Sequence, residues 1–120
     1  MNGHVERLLI DTDVLVDHLR GARRLGEGDS SISYSVVTRC ELFAGRGADE
    51  EAVGTLLAPF AELPLGREIA ELAGRMRRET GVRIPDALIG ATALHHGLQL
   101  VTRNRRDFDR IPGLQVRAPR

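Results

Sequence analysis

Residues 84–102, which read IPDALIGATALHHGLQLVT, carry the pattern that decides the fold of this 120-residue chain. Proline and aspartate directly after Ile84 are residues that helix starts favour, so a helix is expected to open there. This helix is apolar on almost every side from Ala87 to Leu94 and rich in small residues, which is typical of a helix packed tightly on a sheet. Gly97 ends it, and Leu98 to Thr102 has the composition of a buried strand. The stretch therefore predicts a central helix followed by an interior strand.

Further strand-like segments alternate with helix-like ones outside this stretch. The predicted strands are Arg7–Asp11, Ser31–Val37, the brief extended segment Leu63–Leu65, and the edge strand Leu114–Val116. Strands that alternate with helices form a parallel sheet covered on both faces. The expected fold class is therefore α/β, a three-layer α/β/α sandwich with a central, mainly parallel sheet of four or five strands, in a single domain spanning residues 1–120.

The helices are predicted from capping residues and apolar periodicity. Thr38 can cap a helix, and Glu41 three residues later has the spacing of a capping box. The other helices are Val14–Leu19, the amphipathic segment Asp49–Phe60, and a helix with an apolar stripe from Ile69 to Met76 that ends before Gly81.

Composition limits the class of protein. Hydrophobic residues make up 42% and charged residues 28%, a globular balance, and 17 basic against 17 acidic residues argue against a polybasic binder. The single cysteine, Cys40, cannot form an internal disulfide and is expected to be a small core residue. No apolar run approaches the length of a signal-peptide core or a membrane span, so we expect a soluble cytoplasmic protein with no membrane partner.

All 17 basic residues are arginine, and the sequence contains no lysine. This excludes chemistry that requires a lysine, such as Schiff bases, Walker-type phosphate loops and receiver domains with an invariant lysine. Aromatic residues amount to 3% with no tryptophan, so stacking platforms for single-stranded nucleic acid are not available in quantity.

Side chains that offer oxygen ligands follow the predicted strands, at the ends where parallel sheets form their sites. Each has a structural explanation of its own, as a helix-start or turn residue, but acids that gather at one sheet edge repel one another and need a cation. An all-oxygen set suits Mg²⁺ or Mn²⁺, which can activate water and neutralise the charge of a phosphodiester. No basic residue is assigned between the acids, so they are expected to raise each other's pKa. The residues are Asp11 and Asp13 after the first strand, Glu41 after the second, Asp86 at the start of the central helix, and Asn104 and Asp107 after the strand that ends at Thr102.

Four blocks of the sequence together resemble a known family. They are LIDTDVL at 9–15, SVVTRCEL at 35–42, IPDALIGATAL at 84–94 and LVTRNRRDF at 100–108. In this order and spacing they look like the four blocks of a PIN domain, and the match runs across nearly the whole chain. The length and block style are similar to those of VapC-type toxins from bacterial toxin–antitoxin pairs.

The resemblance implies an endoribonuclease that depends on Mg²⁺ or Mn²⁺. Asp11, Glu41 and Asp86 match the family's three catalytic metal-site acids, and Thr12 and Thr102 match its supporting hydroxyl positions. Members usually form homodimers and are silenced in a hetero-oligomer by a VapB-type antitoxin, whose C-terminal segment places a basic side chain in or near the active site. They cut structured RNAs, often tRNA or rRNA, and so inhibit translation.

Two positions depart from the family's pattern. Position 13 is commonly Asn or Ser in the family, whereas Asp13 here adds a charge near the metal. The family often has an aspartate where this chain has Asn104, and Asp107 lies one turn further on. These three residues are predicted to support the site. The sequence leaves open which of Asn104 and Asp107 completes the fourth ligand position, and whether one or two metal ions bind.

Charge is distributed unevenly along the chain, in a way that agrees with an RNA substrate. Residues 101–120 contain six arginines and two acids, whereas residues 40–71 contain seven acids and two arginines. A neutral but polarised molecule can gather phosphates on one side. The arginines predicted to contact RNA are Arg39, Arg83, Arg103, Arg105 and Arg106.

Two other functions fit parts of the sequence. Asp11-Thr12-Asp13 fits the start of a haloacid-dehalogenase-type phosphatase, in which Asp11 would be the nucleophile and Asp13 the general acid. That fold normally has a paired-acid motif and a longer chain, and the paired acids are absent here. A non-catalytic binding module with a PIN fold is the other alternative, and retention of Asp11, Glu41 and Asp86 argues against it. Metal-dependent RNA cleavage that disappears in Asp11→Ala would distinguish a nuclease from this module, whereas an aspartyl-phosphate trap on Asp11, such as a BeF₃⁻ adduct, would support the phosphatase.

Overall fold

The computed structural model describes residues 5–21 and 30–120 and contains a five-stranded sheet. The strands lie in the order β3-β2-β1-β4-β5, and every neighbouring pair is parallel. In chain order they are β1 (Arg7–Ile10), β2 (Ser31–Ser35), β3 (Ala61–Leu63), β4 (Gln99–Val101) and β5 (Val116–Arg117).

Helices connect these strands. Within the described ranges, none of them is long and apolar enough to cross a membrane. They are α1 (Thr12–Leu19), α2 (Val36–Ala44), α3 (Glu50–Leu57), α4 (Arg67–Thr80), α5 (Ile84–His96) and α6 (Arg105–Phe108).

The side chains of β1 alternate between the two faces of the sheet. Leu8 and Ile10 belong to a buried cluster with residues of α1, α2 and α3, whereas Leu9 belongs to a second cluster with residues of α4, α5 and α6. Helices therefore cover both faces, and the expected three-layer α/β/α sandwich with a parallel sheet is confirmed.

Helix α5 lies against the interior, as its composition predicts. Ala87, Ala91 and Ala93 are fully buried, and a β-carbon added at Gly90 would lie only 2.7 Å from Cδ1 of Ile111. Small residues thus allow this helix to approach its neighbours closely, which fixes the position of its first turn.

The boundary between β2 and α2 differs from the sequence prediction. Ser35 ends the strand, and its Oγ accepts a hydrogen bond from the backbone N–H of Val37 at 3.1 Å, so Ser35 is the N-cap. Val36 and Val37, predicted as strand, form the first helical turn because a capping serine overrides their preference for strands. The predicted capping box of Thr38 and Glu41 is therefore wrong, since both residues lie inside the helix.

Smaller differences occur elsewhere. Cys40 is exposed on α2, so its expected place in the core is wrong. The last strand begins at Val116 rather than Leu114, because the backbone N–H of Leu114 donates to the carbonyl oxygen of Ile111 in a turn. β3 lies two residues earlier than the predicted extended segment, and the four-residue helix α6 is too short to show a periodic pattern.

The strand order creates a crevice at one edge of the sheet. From β1 the chain runs outward through β2 to β3 on one side, and then crosses to β4 on the other side of β1. At such a switch point the connections leave adjacent strands in opposite directions, which opens a crevice at their carboxyl ends. β1 and β4 pair Ile10 with Val101, so the next residues, Asp11 and Thr102, reach this crevice together.

Candidate active site

A cavity of about 320 Å³ lies at this crevice and is lined mainly by acidic and polar side chains. Three separate segments bring Asp11, Glu41 and Asp86 to it, from the end of β1, from α2 and from the start of α5. The lining residues are Asp11, Thr12, Asp13, Glu41, Arg83, Pro85, Asp86, Asn104 and Asp107.

Asp11 is the most deeply placed of these acids, with 6% of its surface exposed. Its Oδ1 accepts a hydrogen bond from the backbone N–H of Thr12 at 2.8 Å, and its Oδ2 accepts one from the hydroxyl of Thr102 at 2.7 Å. Thr102 in turn accepts a hydrogen bond from the backbone N–H of Asn104 at 2.9 Å. Both carboxylate oxygens of Asp11 are therefore held in one orientation.

Burial raises the pKa of Asp11 from 3.8 to about 7. The hydrogen bond from Thr102 favours the charged form and opposes this shift, while the nearby charge of Asp13 adds to it. Without a compensating cation, Asp11 therefore takes up a proton at a pH near neutrality.

Glu41 lies on α2 and is exposed to solvent at the cavity wall. The hydroxyl of Thr12 donates a hydrogen bond to its Oε1 at 2.7 Å. The same hydroxyl oxygen lies 2.9 Å from Oγ1 of Thr38, which is fully buried. The first residue of α1 therefore connects two residues of α2 that are one helical turn apart.

Asp86 lies in the first turn of α5 and is partly buried. Burial raises its pKa, and the charges of Asp107 and Glu41 raise it further, whereas the charge of Arg83 lowers it. Arg83 also lines the cavity. The expectation that no basic residue lies between the acids is therefore wrong.

A second basic residue, Arg103, lies near the acids of the cavity, beside Asp13. Burial raises the pKa of Asp13, and the backbone N–H and the charge of Arg103 oppose that shift. Nε of Arg103 lies 2.9 Å from Oδ2 of Asp17 and 4.0 Å from Oδ2 of Asp13, so this arginine joins the loop after β4 to α1. Asp17 was not identified from the sequence, although its position one turn after Asp13 on a predicted helix was the available signal.

Asn104 and Asp107 both reach the cavity rather than one replacing the other. Nδ2 of Asn104 donates a hydrogen bond to Oδ2 of Asp107 at 3.0 Å. The amide of Asn104 therefore orients this carboxylate.

The five predicted RNA-contacting arginines differ in their surroundings. Arg83 lines the cavity, Arg103 is paired with acids of α1, and Arg105 and Arg106 are exposed on α6. Arg39 is not brought to the cavity: its Nε lies 2.5 Å from Oε1 of Glu62, and its Nη2 donates to the hydroxyl of Tyr34 at 3.0 Å. These contacts tie α2 to β2 and β3 and give Arg39 a structural role.

The donor set around the cavity fits a hard divalent cation in its chemistry. The ligand atoms are carboxylate, amide and hydroxyl oxygens, which Mg²⁺ and Mn²⁺ prefer. One of them, Oδ1 of Asp13, is buried and has no hydrogen-bond partner among the described residues. Within 5–21 and 30–120, however, no three His, Cys, Asp or Glu side chains are placed so that they could hold a metal ion together. A cation bound by three of these acids would therefore have to draw their side chains closer together.

Comparison with known proteins agrees with this arrangement. Residues 8–114 match the model of the PIN domain. The chain is 38% identical over 109 residues to "Ribonuclease VapC10" of Mycobacterium tuberculosis, covering 81% of this chain and 82% of that protein. It is 34% identical over 121 residues to "Ribonuclease VapC19" of the same organism, covering 89% and 96%.

Solved structures have the same fold. A "Toxin-antitoxin complex from Klebsiella pneumoniae" superposes with a TM-score of 0.80 and 34% sequence identity, covering 94% of this chain and 98% of that one. VapBC2 from Rickettsia felis, bound to a DNA fragment from the promoter, also superposes with a TM-score of 0.80, but at 19% identity it supports the fold alone.

Proposed function

Because this chain belongs to the PIN-domain family, we propose that it is an endoribonuclease toxin of the VapC type, built as one domain across residues 1–120. The observation that carries the proposal is the convergence of Asp11, Glu41 and Asp86, from three separate segments, on one cavity that Arg83 also lines. Membership of this family removes the support for a haloacid-dehalogenase-type phosphatase, a different fold that would use Asp11 as a nucleophile.

The proposed cofactor is Mg²⁺ or Mn²⁺, held by Asp11, Glu41 and Asp86. Such an ion supplies a Lewis acid that activates water and neutralises the charge of a phosphodiester. The oxygen-rich lining of the cavity supports a cation at this place, as does Oδ1 of Asp13, which is buried with no hydrogen-bond partner among the described residues.

The surrounding residues position these acids. Thr102 and the backbone N–H of Thr12 hold the two oxygens of Asp11, and the hydroxyl of Thr12 holds Glu41. Arg83 lines the cavity, and we expect its guanidinium to donate hydrogen bonds to phosphate oxygens that enter it. The exposed Arg105 and Arg106 of α6 would add further contacts to the phosphates of an RNA backbone.

The proposed substrate is a structured RNA, tRNA or rRNA, and the proposed partner is a VapB-type antitoxin in the cytoplasm. The solved toxin–antitoxin complex that resembles this chain supports such a partner. A basic antitoxin side chain would be attracted by the acids of the cavity. A toxin homodimer within a toxin–antitoxin hetero-oligomer is the proposed assembly.

Sequencing of RNA 5′ ends after pulse expression tests the function. The parent, Asp11→Asn and the control Asp109→Asn are compared, because Asp109 is an exposed acid outside the cavity. New 5′ ends are expected at defined sites with the parent and the control, and most of them should disappear with Asp11→Asn. A parent that creates no new 5′ ends would instead indicate a non-catalytic PIN-fold module.

A further inference from the structure

Thr38 is a buried hydroxyl with no role in the function proposed so far. Its surface is 0% exposed, and its Oγ1 lies 2.9 Å from Oγ1 of Thr12, which itself donates to Oε1 of Glu41 at 2.7 Å. We propose that Thr38 is a positioning residue that orients Glu41 through Thr12. The proposal rests on the proposed metal-dependent function, because it assigns to Glu41 the place of a ligand.

The direction of these hydrogen bonds follows from counting protons. A threonine hydroxyl has one proton to donate and two lone pairs that accept. Thr12 donates its proton to the carboxylate of Glu41, so the proton between the two threonines must come from Thr38. The hydrogen bonds therefore run in one direction, from Thr38 to Thr12 to Glu41.

This use of a helical threonine differs from that of another buried threonine in the same chain. Thr92 of α5 is also 0% exposed, and its hydroxyl donates to the backbone carbonyl of Leu88 in its own helix at 2.7 Å. Thr38 instead donates to a different helix, 26 residues away in the sequence. A threonine that only satisfied its own helix would not connect α2 to the first residue of α1.

Geometry explains why Glu41 needs this support. Glu41 is exposed, so solvent would leave its side chain free to rotate, and in the described part of the chain the hydroxyl of Thr12 restricts it through a hydrogen bond. Thr38 and Glu41 lie three residues apart on one face of α2 and hold the same oxygen of Thr12 from two sides. Without the proton of Thr38, Thr12 keeps one of these two bonds, and its χ1 angle and the carboxylate are less restricted.

Mn²⁺ binding to the full-length protein tests the proposal. Thr38→Val removes the hydroxyl and keeps the shape, Thr38→Ser restores a hydroxyl, and Thr92→Val makes the same change at a buried site outside the cavity. Free Mn²⁺ is measured by electron paramagnetic resonance, and thermal unfolding in EDTA is followed in parallel. Thr38→Val is expected to weaken Mn²⁺ binding roughly tenfold, as residues that orient a metal ligand do. Thr38→Ser should recover most of this loss, and Thr92→Val should bind as the parent does.

A second readout separates positioning from general damage. At saturating Mn²⁺ the kcat of RNA cleavage by Thr38→Val should approach that of the parent, because the metal itself then orders Glu41. Equal Mn²⁺ affinity in Thr38→Val and the parent would overturn the proposal, as would an equal loss in Thr92→Val. If Thr38→Val does not fold, Thr38→Ala replaces it, because alanine introduces no new group into the core. Thr38→Ala is then compared with Thr38→Ser.

The outcomes distinguish this inference from the proposed function. A parent that binds Mn²⁺ and cuts RNA, with a Thr38→Val variant that binds equally well, would overturn only the role of Thr38. A parent that binds no Mn²⁺ would overturn both, because Thr38 would then have no metal ligand to orient.

Discussion

The ionised form of Asp11 destabilises the folded protein, and Asp11→Asn is expected to remove this penalty. Burial raises the pKa of Asp11 from 3.8 to about 7. One pKa unit corresponds to about 1.4 kcal/mol, so ionised Asp11 lowers the free energy of unfolding by about 4 kcal/mol once the pH is well above 7. Because the residue is buried, solvent screening does little to reduce this figure.

The direction in which stability changes with pH follows from the number of protons that the folded and unfolded states bind. Between about pH 4 and pH 7 the folded state holds a proton on Asp11 that the unfolded state has released, so stability falls as the pH rises through this range. An asparagine does not titrate, but its amide cannot accept from both Thr12 and Thr102, which costs about 1 kcal/mol at every pH. Asp11→Asn should therefore be about 0.5 kcal/mol less stable than the parent near pH 4 and about 3 kcal/mol more stable near pH 8.

Urea unfolding in EDTA at these two pH values measures the difference. The control is Asp109→Asn, which makes the same change at an exposed acid and should leave the stability close to that of the parent at both pH values. A stability difference between Asp11→Asn and the parent that is the same at both pH values would refute the raised pKa. A variant that is less stable than the parent at the higher pH would show that the hydrogen bonds of Asp11 outweigh its burial.

Three further predictions concern packing, RNA contact and the unity of the site. Gly90→Ala should lower the free energy of unfolding by up to about 2 kcal/mol, because overlap of the new β-carbon with Cδ1 of Ile111 costs about 1–3 kcal/mol and the gain in helix propensity returns about 1 kcal/mol. Gly74→Ala should raise the free energy of unfolding by about 0.5–1 kcal/mol, because nothing lies within 4 Å of the new β-carbon and alanine favours the helix. Urea unfolding measures both variants, and a change in the same direction for the two would contradict the close packing of α5. Arg83→Gln, measured in the inactive Asp11→Asn background, should reduce the slope of log RNA affinity against log salt by about 0.7–1, and an unchanged slope would mean that Arg83 touches no phosphate. Asp86→Asn combined with Asp11→Asn should cleave RNA little more slowly than either single variant, whereas fully additive losses would point to separate sites.

The sequence predicts the architecture well where the pattern is continuous. The sequence of α5 is apolar on almost every side, and that of β4 is typical of a buried strand. Both segments must be covered on each side, and a sheet with helices on both faces provides this. The prediction fails at residues 35–38, where two possible caps flank two β-branched residues. Ser35 is the cap because it ends β2 in an extended conformation, with φ −78 and ψ 146, which the sequence does not reveal.

The acids of the candidate site are also predictable, because the ends of parallel strands meet at one sheet edge. The hydrogen-bond and ion-pair partners of these acids cannot be predicted in the same way. Thr12 reaches Thr38 and Glu41 across 26 and 29 residues, and Arg103 reaches back to Asp17, so these contacts depend on how α1 and α2 pack. Arg39 has the same charge as Arg83, and only the fold shows that Glu62 holds it away from the cavity.

RNA cleavage by the purified protein, with and without divalent metal, tests most directly the claim that the acids of the cavity form one metal-dependent site. The parent, Asp11→Asn and Asp109→Asn are incubated with total tRNA and rRNA in EDTA and after Mg²⁺ or Mn²⁺ is added back. The parent and Asp109→Asn are expected to cut RNA only when the metal is present, and Asp11→Asn should lose most of this cleavage. Cleavage by the parent that continues in EDTA, or cleavage by Asp11→Asn at the parent's rate, would contradict the claim.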